Sequence, residues 1–221
     1  MQLDAVLFDL DGTLADTAPD LLGALNKLCV EHGRPTLAME QVRPHITGGS
    51  PKFIELGFGI NVEHENYASL RQGFLDYYGA GLANHSTLMP NADALIAHMA
   101  GRGIRWGIVT NKAAALTRPL VHALGLLPAA ACLVAGDCAA RAKPHPDTLL
   151  LAAERLALAP NRIAYVGDAR TDIIAAHAAG MHAIAVTFGY IAAHDSPHDW
   201  GADTVIESLD ELISWFPGNG L

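Results

Sequence analysis

The sequence is poor in charged residues, and basic residues are the scarcer kind. Charged residues make up 17% of the 221 positions, with 14 Lys and Arg against 23 Asp and Glu, so the formal charge is -9. The bases form no cluster of the kind that a nucleic-acid groove requires, and we expect no nucleic-acid partner. Hydrophobic residues reach 51%, and this proportion with so little charge excludes a disordered chain.

Cysteine is also scarce, and the apolar runs are short. The three cysteines, Cys29, Cys132 and Cys138, lack the spacing of a zinc site, and we interpret them as reduced thiols in or near the core. The longest apolar stretch, residues 113–134, is interrupted by charged residues and proline before it could span a bilayer. The N-terminus has no basic segment ahead of its first acid. We therefore expect no signal peptide, no membrane association and a cytoplasmic location.

Short apolar runs rich in β-branched residues alternate with helical patterns along most of the chain. The runs cover residues 5–8, 104–109, 132–135, 163–166, 183–186 and 204–206. Apolar strands separated by helices indicate a parallel sheet that is covered on both faces. The pattern predicts an α/β fold whose core is a Rossmann-like, doubly wound parallel sheet.

One interval breaks this alternation. Residues 15–83 contain helical stripes, such as Leu70, Phe74 and Tyr78, and no convincing strand. A crossover between parallel strands needs only a dozen or so residues, so this segment is too long to be a simple connection. We predict an inserted all-helical cap subdomain at 15–83 and an α/β core domain formed by 1–14 and 84–221.

The first predicted strand ends in two acids. Asp9 and Asp11 are two residues apart, so an extended chain places both carboxylates on one face. Two acids that close together repel each other unless a cation or a shared proton compensates them. A calcium loop of the EF-hand type requires Gly at its sixth position, whereas Gly12 is fourth and follows a strand. The pair predicts a reactive or cation-binding site at the carboxyl edge of the sheet.

Polar residues follow other predicted elements in the same way. Thr110 and Asn111 end one strand, Lys143 precedes a helix, and Asp168 ends another strand, with Asp172 four residues later. Each alone has an ordinary structural explanation, such as a turn, a surface charge or a helix terminus. Because the carboxyl ends of parallel strands meet at one edge, the set as a whole predicts a single site.

Together these motifs carry a family resemblance. DLDGT, VTN, KPHP and GDARTD, with a helical insertion after the first motif, resemble the haloacid dehalogenase superfamily of aspartyl-phosphate hydrolases, in its branch with a C1 cap. Within that branch the chain resembles the phosphoglycolate phosphatase-like proteins. Residues 46–49, 188–191 and 200–203 are most similar to N-acetylmuramate 6-phosphate phosphatases.

The resemblance implies a Mg²⁺-dependent phosphomonoester hydrolase that acts on a small phosphorylated metabolite. N-acetylmuramate 6-phosphate is the expected substrate, because small residues in the cap leave room for a lactyl amino sugar; 2-phosphoglycolate is the alternative, and a phosphomutase on the same fold stays open. A signalling receiver module would be about half this length and would lack a helical cap. A dehalogenase would not need an acid at Asp11. The oligomeric state is unknown from the sequence.

Each motif residue has an expected chemical role. Asp9 would attack phosphorus with an oxygen that is ionised at neutral pH, forming an acyl phosphate that water can cleave. Asp11 would protonate the leaving alkoxide and then take a proton from water. Thr110, Asn111 and Lys143 would contact the phosphoryl oxygens, where charge spreads in the transition state.

The resemblance also implies the metal ligands. Asp9 and Asp168 would bind Mg²⁺ together with the backbone carbonyl of Asp11. Asp172 would orient Lys143 or a metal-bound water.

In the cap, the stretch from Arg43 to Ser50 is the candidate for substrate binding. Arg43 would bind a substrate carboxylate or the phosphate, and Thr47, Gly48 and Gly49 would lie beside the ligand. An alternative is that the Gly-Gly pair only turns the chain between two helices.

Overall fold

The computed structural model describes residues 3–127 and 129–216, and most of its strands form one six-stranded parallel sheet. The strands are β1 (Ala5–Phe8), β2 (Ala15–Asp16), β3 (Thr87–Leu88), β4 (Arg105–Val109), β5 (Cys132–Val134), β6 (Ile163–Gly167), β7 (His182–Val186) and β8 (Thr204–Ile206). The order in the large sheet is β5-β4-β1-β6-β7-β8. These six strands lie within one residue of their predicted bounds, and the α/β prediction is confirmed.

Helices connect the strands and cover the sheet. They are α1 (Ala18–Glu31), α2 (Met39–Val42), α3 (Gly49–Phe58), α4 (Tyr67–Ala80), α5 (Ala92–Gly101), α6 (Ala114–Ala123), α7 (Asp147–Leu156) and α8 (Arg170–Ala179). Short 3₁₀ helices cover Arg43–Gly48, Pro160–Arg162, Pro197–Asp199 and Leu209–Trp215. In the described part of the chain, no helix has the length and apolar character needed to cross a membrane.

The central strand shows why the core strands are apolar at every position. Val6 and Phe8 pack into a hydrophobic cluster on one face of β1, and Ala5 and Leu7 pack into a second cluster on the other face. All four side chains are almost fully buried. Because successive side chains of a strand point to opposite faces, a strand covered on both sides has no position for a polar residue.

The helices α1 to α4 lie between β2 and β3 and share a separate hydrophobic cluster. Leu25, Phe53, Phe74 and Tyr78 are among its most deeply buried members. The two-residue strands β2 and β3 pair antiparallel where the chain enters and leaves this helical insertion. Residues 15–16 therefore form a strand that the sequence did not predict, because a two-residue ladder is too short to show a periodicity. The domain boundaries after residues 14 and 83 stay predictions.

Some of the predicted core domain is not described. Residues 1–2, 128 and 217–221 lie outside the described residues.

Near the end of the described chain, Glu211 accepts a hydrogen bond from the Ser208 amide at 3.0 Å, as in a capping box. The segment that follows Ser208 is a 3₁₀ helix.

Candidate active site

Three neighbouring strands bring the predicted site residues to one edge of the sheet. β1 lies between β4 and β6, and the residues directly after these strands are Asp9, Thr110 and Asp168. Lys143 reaches the same edge from the loop before α7, and its Nζ lies 3.0 Å from Asp9 Oδ1. The topology therefore makes neighbours of residues that are far apart in the chain.

A cavity of about 260 Å³ opens above these strand ends, with walls from both the core and the helical insertion. The core supplies most of its acids, amides and amines, whereas the insertion supplies most of its apolar surface. The insertion residues that line it include Leu21, Ile46, Thr47, Gly49, Ser50, Phe53, Arg71, Phe74, Leu75 and Tyr78. The cavity lies next to the clustered acids, and its volume is just below the roughly 300 Å³ at which ligand pockets usually begin.

Three carboxylates crowd together at the carboxyl edge of the sheet, and two of them, Asp9 and Asp172, line the cavity. Asp9, Asp168 and Asp172 each offer an oxygen to a group whose members lie within 4.8 Å of one another. Burial raises the pKa of Asp9 to about 6, although the charge of Lys143 opposes the shift. Burial and the nearby Asp9 carboxylate hold the pKa of Asp168 well above its usual range. A bound cation would relieve this repulsion.

The surroundings of these acids fit a magnesium ion. Asp9 Oδ1 is buried and accepts no hydrogen bond from the described residues, and its contact with Lys143 is an ion pair outside hydrogen-bond geometry. A Cβ atom at Gly12 or Gly189 would overlap the Asp168 carboxylate, so glycine at both positions leaves space for that group. Carboxylate oxygens are ligands that Mg²⁺ prefers.

Lys143 is the most heavily bonded cation of the site. Its ammonium donates to Asp172 Oδ1 and to the Tyr165 hydroxyl, each at 2.7 Å. Burial opposes ionisation, but Asp172 and Asp9 raise the pKa of Lys143 above its ordinary value. Lys143 therefore stays positively charged between Asp9 and Asp172, and the role of Asp172 in orienting it stays a prediction.

Thr110 and Asn111 both line the cavity, but their side chains are used differently. Thr110 is almost fully buried, and its hydroxyl accepts a hydrogen bond from the Lys112 amide at 3.3 Å. The Asn111 side chain exchanges two hydrogen bonds with the backbone of Lys143, at 2.9 and 3.0 Å. Asn111 thus fixes the loop that carries Lys143, and substrate binding by its amide stays a prediction.

Lys112 is a site residue to which the sequence analysis gave no role. Its ammonium donates to Asp11 Oδ1 and to the Tyr78 hydroxyl, each at 2.7 Å. The Thr17 hydroxyl donates to the same Asp11 oxygen. Both hydrogen bonds use Oδ1 of Asp11, and Asp11 is not a member of the three-acid group among the described residues. The position of Lys112 directly after Asn111 was the available sequence signal.

Arg43 is not among the described residues that line the cavity. Its guanidinium pairs with Asp16 at 3.1 Å and lies over the Tyr190 ring, 5.0 Å from the centroid. The Tyr190 hydroxyl donates to Asp16 at 2.8 Å and accepts a hydrogen bond from the Thr17 amide at 2.7 Å. Because Asp16 and Thr17 begin the insertion, Arg43 contacts the junction between the insertion and the core.

The other predicted cap residues divide between the cavity and its margin. Thr47 and Gly49 line the cavity, whereas Gly48 is outside the described lining. Ser50 and Arg71 also line it, and Arg71 Nε donates to Ser50 Oγ at 2.9 Å. The sequence analysis missed Arg71 because it is a polar residue next to Leu70, off the apolar stripe of α4, where a solvated charge is the usual explanation.

The comparison with known protein families identifies this arrangement. The family model for haloacid dehalogenase-like hydrolases matches residues 6–186. This chain belongs to that family. The match spans every strand of the large sheet except β8, and it includes the whole helical insertion.

Relatives within the haloacid dehalogenase-like hydrolases match nearly the full chain. An N-acetylmuramic acid 6-phosphate phosphatase of Pseudomonas aeruginosa is 38% identical over 213 residues, which cover 96% of this chain and 94% of that protein. A phosphoglycolate phosphatase of Xanthomonas campestris is 38% identical over 213 residues, which cover 96% and 95%. This haloacid dehalogenase-like hydrolase is therefore a phosphoric monoester hydrolase.

A solved structure of the same family has the same fold. The crystal structure of a predicted phosphoglycolate phosphatase from Haemophilus somnus has a TM-score of 0.88 at 25% identity, and the match covers 98% of this chain and 99% of that one. The similarity extends over the core and the helical insertion of this haloacid dehalogenase-like hydrolase.

Proposed function

We propose that this phosphatase hydrolyses N-acetylmuramate 6-phosphate, with Asp9 as the nucleophile, in a reaction that depends on Mg²⁺. The observation that carries the mechanism is the contact of Asp9 with Lys143 at the base of a cavity that also holds Asp11. Lys143 favours the ionised form of Asp9, which needs no base to attack phosphorus. The product of that attack is an aspartyl phosphate, and the alkoxide of the sugar is the leaving group.

Asp11 is the proposed acid for the leaving alkoxide and the base for the water that cleaves the aspartyl phosphate. Both proton transfers take place at its carboxylate, which borders the cavity together with Asp9. Lys112 and Thr17 orient this carboxylate through hydrogen bonds to one oxygen. The other oxygen is left for the proton transfer.

Asp9, Asp168 and the backbone carbonyl of Asp11 are the proposed ligands of Mg²⁺. When bound, the ion supplies positive charge to the phosphoryl oxygens. Thr110 and Lys143 provide further donors at the same place, so the charge of the transition state meets donors that are already oriented.

Residues 15–83 form the proposed cap, and the apolar wall that they build supports the choice of substrate. Phe53, Phe74 and Leu75 face the cavity from the insertion, and Leu116 adds to this wall from the core. N-acetylmuramate carries a lactyl methyl and an acetyl methyl group that such a wall would desolvate favourably. 2-phosphoglycolate has no methyl group and would leave the wall uncovered. The names of relatives are divided between these two substrates, so the wall is the feature that favours the sugar.

A phosphate-release panel tests this function. The purified protein with Mg²⁺ is given N-acetylmuramate 6-phosphate, 2-phosphoglycolate, hexose phosphates and nucleoside monophosphates, and kcat/KM is measured for each. We expect the muramate ester to have the highest value. A higher kcat/KM for 2-phosphoglycolate would replace the proposed substrate, and transfer of the phosphate to a second sugar instead of water would indicate a mutase.

A further inference from the structure

The cations around the cavity differ in whether a carboxylate already neutralises them. Lys143 and Lys112 are buried and pair with acids of the site. Arg71 on α4 lines the same cavity, and among residues 3–127 and 129–216 no carboxylate lies within ion-pair distance of it. Its positive charge is thus free to meet a negatively charged ligand.

The one hydrogen bond of Arg71 within the described structure aims its guanidinium. Nε donates to Ser50 Oγ at 2.9 Å, and the Nη groups have no acceptor among the described residues. A guanidinium held at Nε presents its Nη groups as a fork that matches the two oxygens of a carboxylate. Ser50 is the second residue of α3, and it lines the cavity together with Arg71.

Arg43 cannot serve in the same way without losing contacts that it already makes. Its guanidinium pairs with Asp16 and lies over Tyr190, and it is outside the described lining of the cavity. A substrate carboxylate would have to compete with the Asp16 carboxylate for Arg43. For Arg71, no carboxylate in the described part of the chain is such a competitor.

The geometry points to Arg71 as the residue that binds the carboxylate of the leaving group, with Ser50 as the residue that positions it. Arg71 belongs to the insertion and lines the same cavity as Asp9 and Asp11 of the core. This inference rests on the proposed function, because N-acetylmuramate 6-phosphate carries a lactyl carboxylate in addition to its phosphate. Arg71 would thus select for carboxylate-bearing phosphate esters.

The test compares two substrates that share a ring and differ in the lactyl carboxylate. The kcat and KM of wild type and Arg71→Ala are measured on N-acetylmuramate 6-phosphate, on N-acetylglucosamine 6-phosphate and on 2-phosphoglycolate. Arg71→Ala should lower kcat/KM for the muramate ester by about 10- to 100-fold, mainly through KM, because a charge-assisted contact is lost. The value for N-acetylglucosamine 6-phosphate should change by less than about threefold. Arg71→Lys should recover part of the loss.

A matched control is available in the same insertion. Lys27 on α1 lies over the Tyr77 ring, 4.3 Å from its centroid, and is outside the described cavity lining. Lys27→Ala removes the same charge from the insertion and should leave the ratio between the muramate and glucosamine esters unchanged. Arg43→Ala should not change this ratio either, although it should slow both reactions.

The outcomes separate this inference from the proposed substrate. If wild type prefers 2-phosphoglycolate and Arg71→Ala selectively lowers kcat/KM for 2-phosphoglycolate, the proposed substrate is wrong and the role of Arg71 is supported. If wild type prefers the muramate ester and Arg71→Ala affects both sugar esters equally or not at all, the role of Arg71 is wrong and the substrate is supported. A wild type without preference for any carboxylate-bearing ester would overturn both.

Discussion

The two sides of the cavity carry their polar groups in different ways. On the core side, Lys143 and Lys112 are buried and each is bonded to a carboxylate of the site. On the insertion side, Arg71 is exposed, and its one hydrogen bond to the described residues goes to the Ser50 hydroxyl, within a wall that is mostly apolar. In the proposed function, the core side binds the phosphate, and Arg71 on the insertion side binds the leaving group.

Removing the proposed nucleophile, Asp9, should have the largest effect on activity. Asp9→Asn should lower phosphate release by roughly four orders of magnitude or more on every substrate, because the amide cannot attack phosphorus. The fold should persist, because the substitution removes no apolar side chain from the core. Circular dichroism and thermal unfolding check this. Asp4→Asn is a matched control, because Asp4 pairs with Arg162 away from the cavity. Normal turnover by a folded Asp9→Asn protein would contradict the mechanism.

Asp11→Asn should have the next largest effect, and the effect should depend on the leaving group. An alkyl phosphate needs a proton on its departing oxygen, so its kcat should fall by about 10²- to 10⁴-fold. An activated aryl phosphate needs that proton less and should lose less in its first step. The measurement is the burst and the steady-state rate with p-nitrophenyl phosphate and with a sugar phosphate. Equal losses in both phases and on both substrates would remove Asp11 from the role of acid.

Arg43→Ala tests a residue of the insertion that contacts the core but does not line the cavity in the described structure. Because Arg43 contacts the start of the insertion through Asp16 and Tyr190, its loss should loosen that junction without changing which ester is preferred. We expect kcat/KM to fall by about 3- to 10-fold for small and large esters alike, a range typical of a partly exposed ion pair with added ring contact. A loss confined to carboxylate-bearing esters would return Arg43 to the role of substrate binding.

The smallest expected effect is on the melting temperature: the amount by which Mg²⁺ raises it should depend on pH. The pKa of Asp9 in the folded protein is about 6, above the value of about 3.9 in an unfolded chain. A raised carboxyl pKa destabilises the folded state above pH 6, and this penalty disappears as the pH falls towards 4. Saturating Mg²⁺ should therefore raise Tm by about 5 °C at pH 7.5 and by less at pH 5.5, where protons compete for Asp9.

The measurement is a thermal melt in Mg²⁺ and in a chelator at both pH values. Asp9→Asn serves as the control, because its melting temperature should show a smaller metal shift and a weaker dependence of that shift on pH. An equal shift at both pH values in the wild type would contradict the assignment of Asp9 as a ligand.

The strands and the acids could be predicted from the sequence because both follow local rules. A buried parallel strand is apolar throughout, and the residue after it lies at the carboxyl edge, which was sufficient to place Asp9, Thr110 and Asp168 together. The partners of Arg43 could not be predicted, because Asp16 and Tyr190 meet only through tertiary packing. Lys112 and Arg71 were missed for the same reason, since a charge shows no preference in sequence for a cavity over solvent.

The arrangement of the sheet has a consequence for how the chain folds. β1 is the first strand in sequence but occupies the middle of the sheet, where Ala5 pairs with Arg105 on one side and with Ile163 on the other. During synthesis, the neighbouring strand β4 is complete only after about half of the chain has been made, and β6 only after about three quarters. Such long-range pairings slow folding and leave apolar surface exposed in the meantime. The hydrophobic cluster of the helical insertion is formed mainly by residues close to one another in the chain. The insertion is therefore the part most suited to fold before the strands of the sheet have all been made.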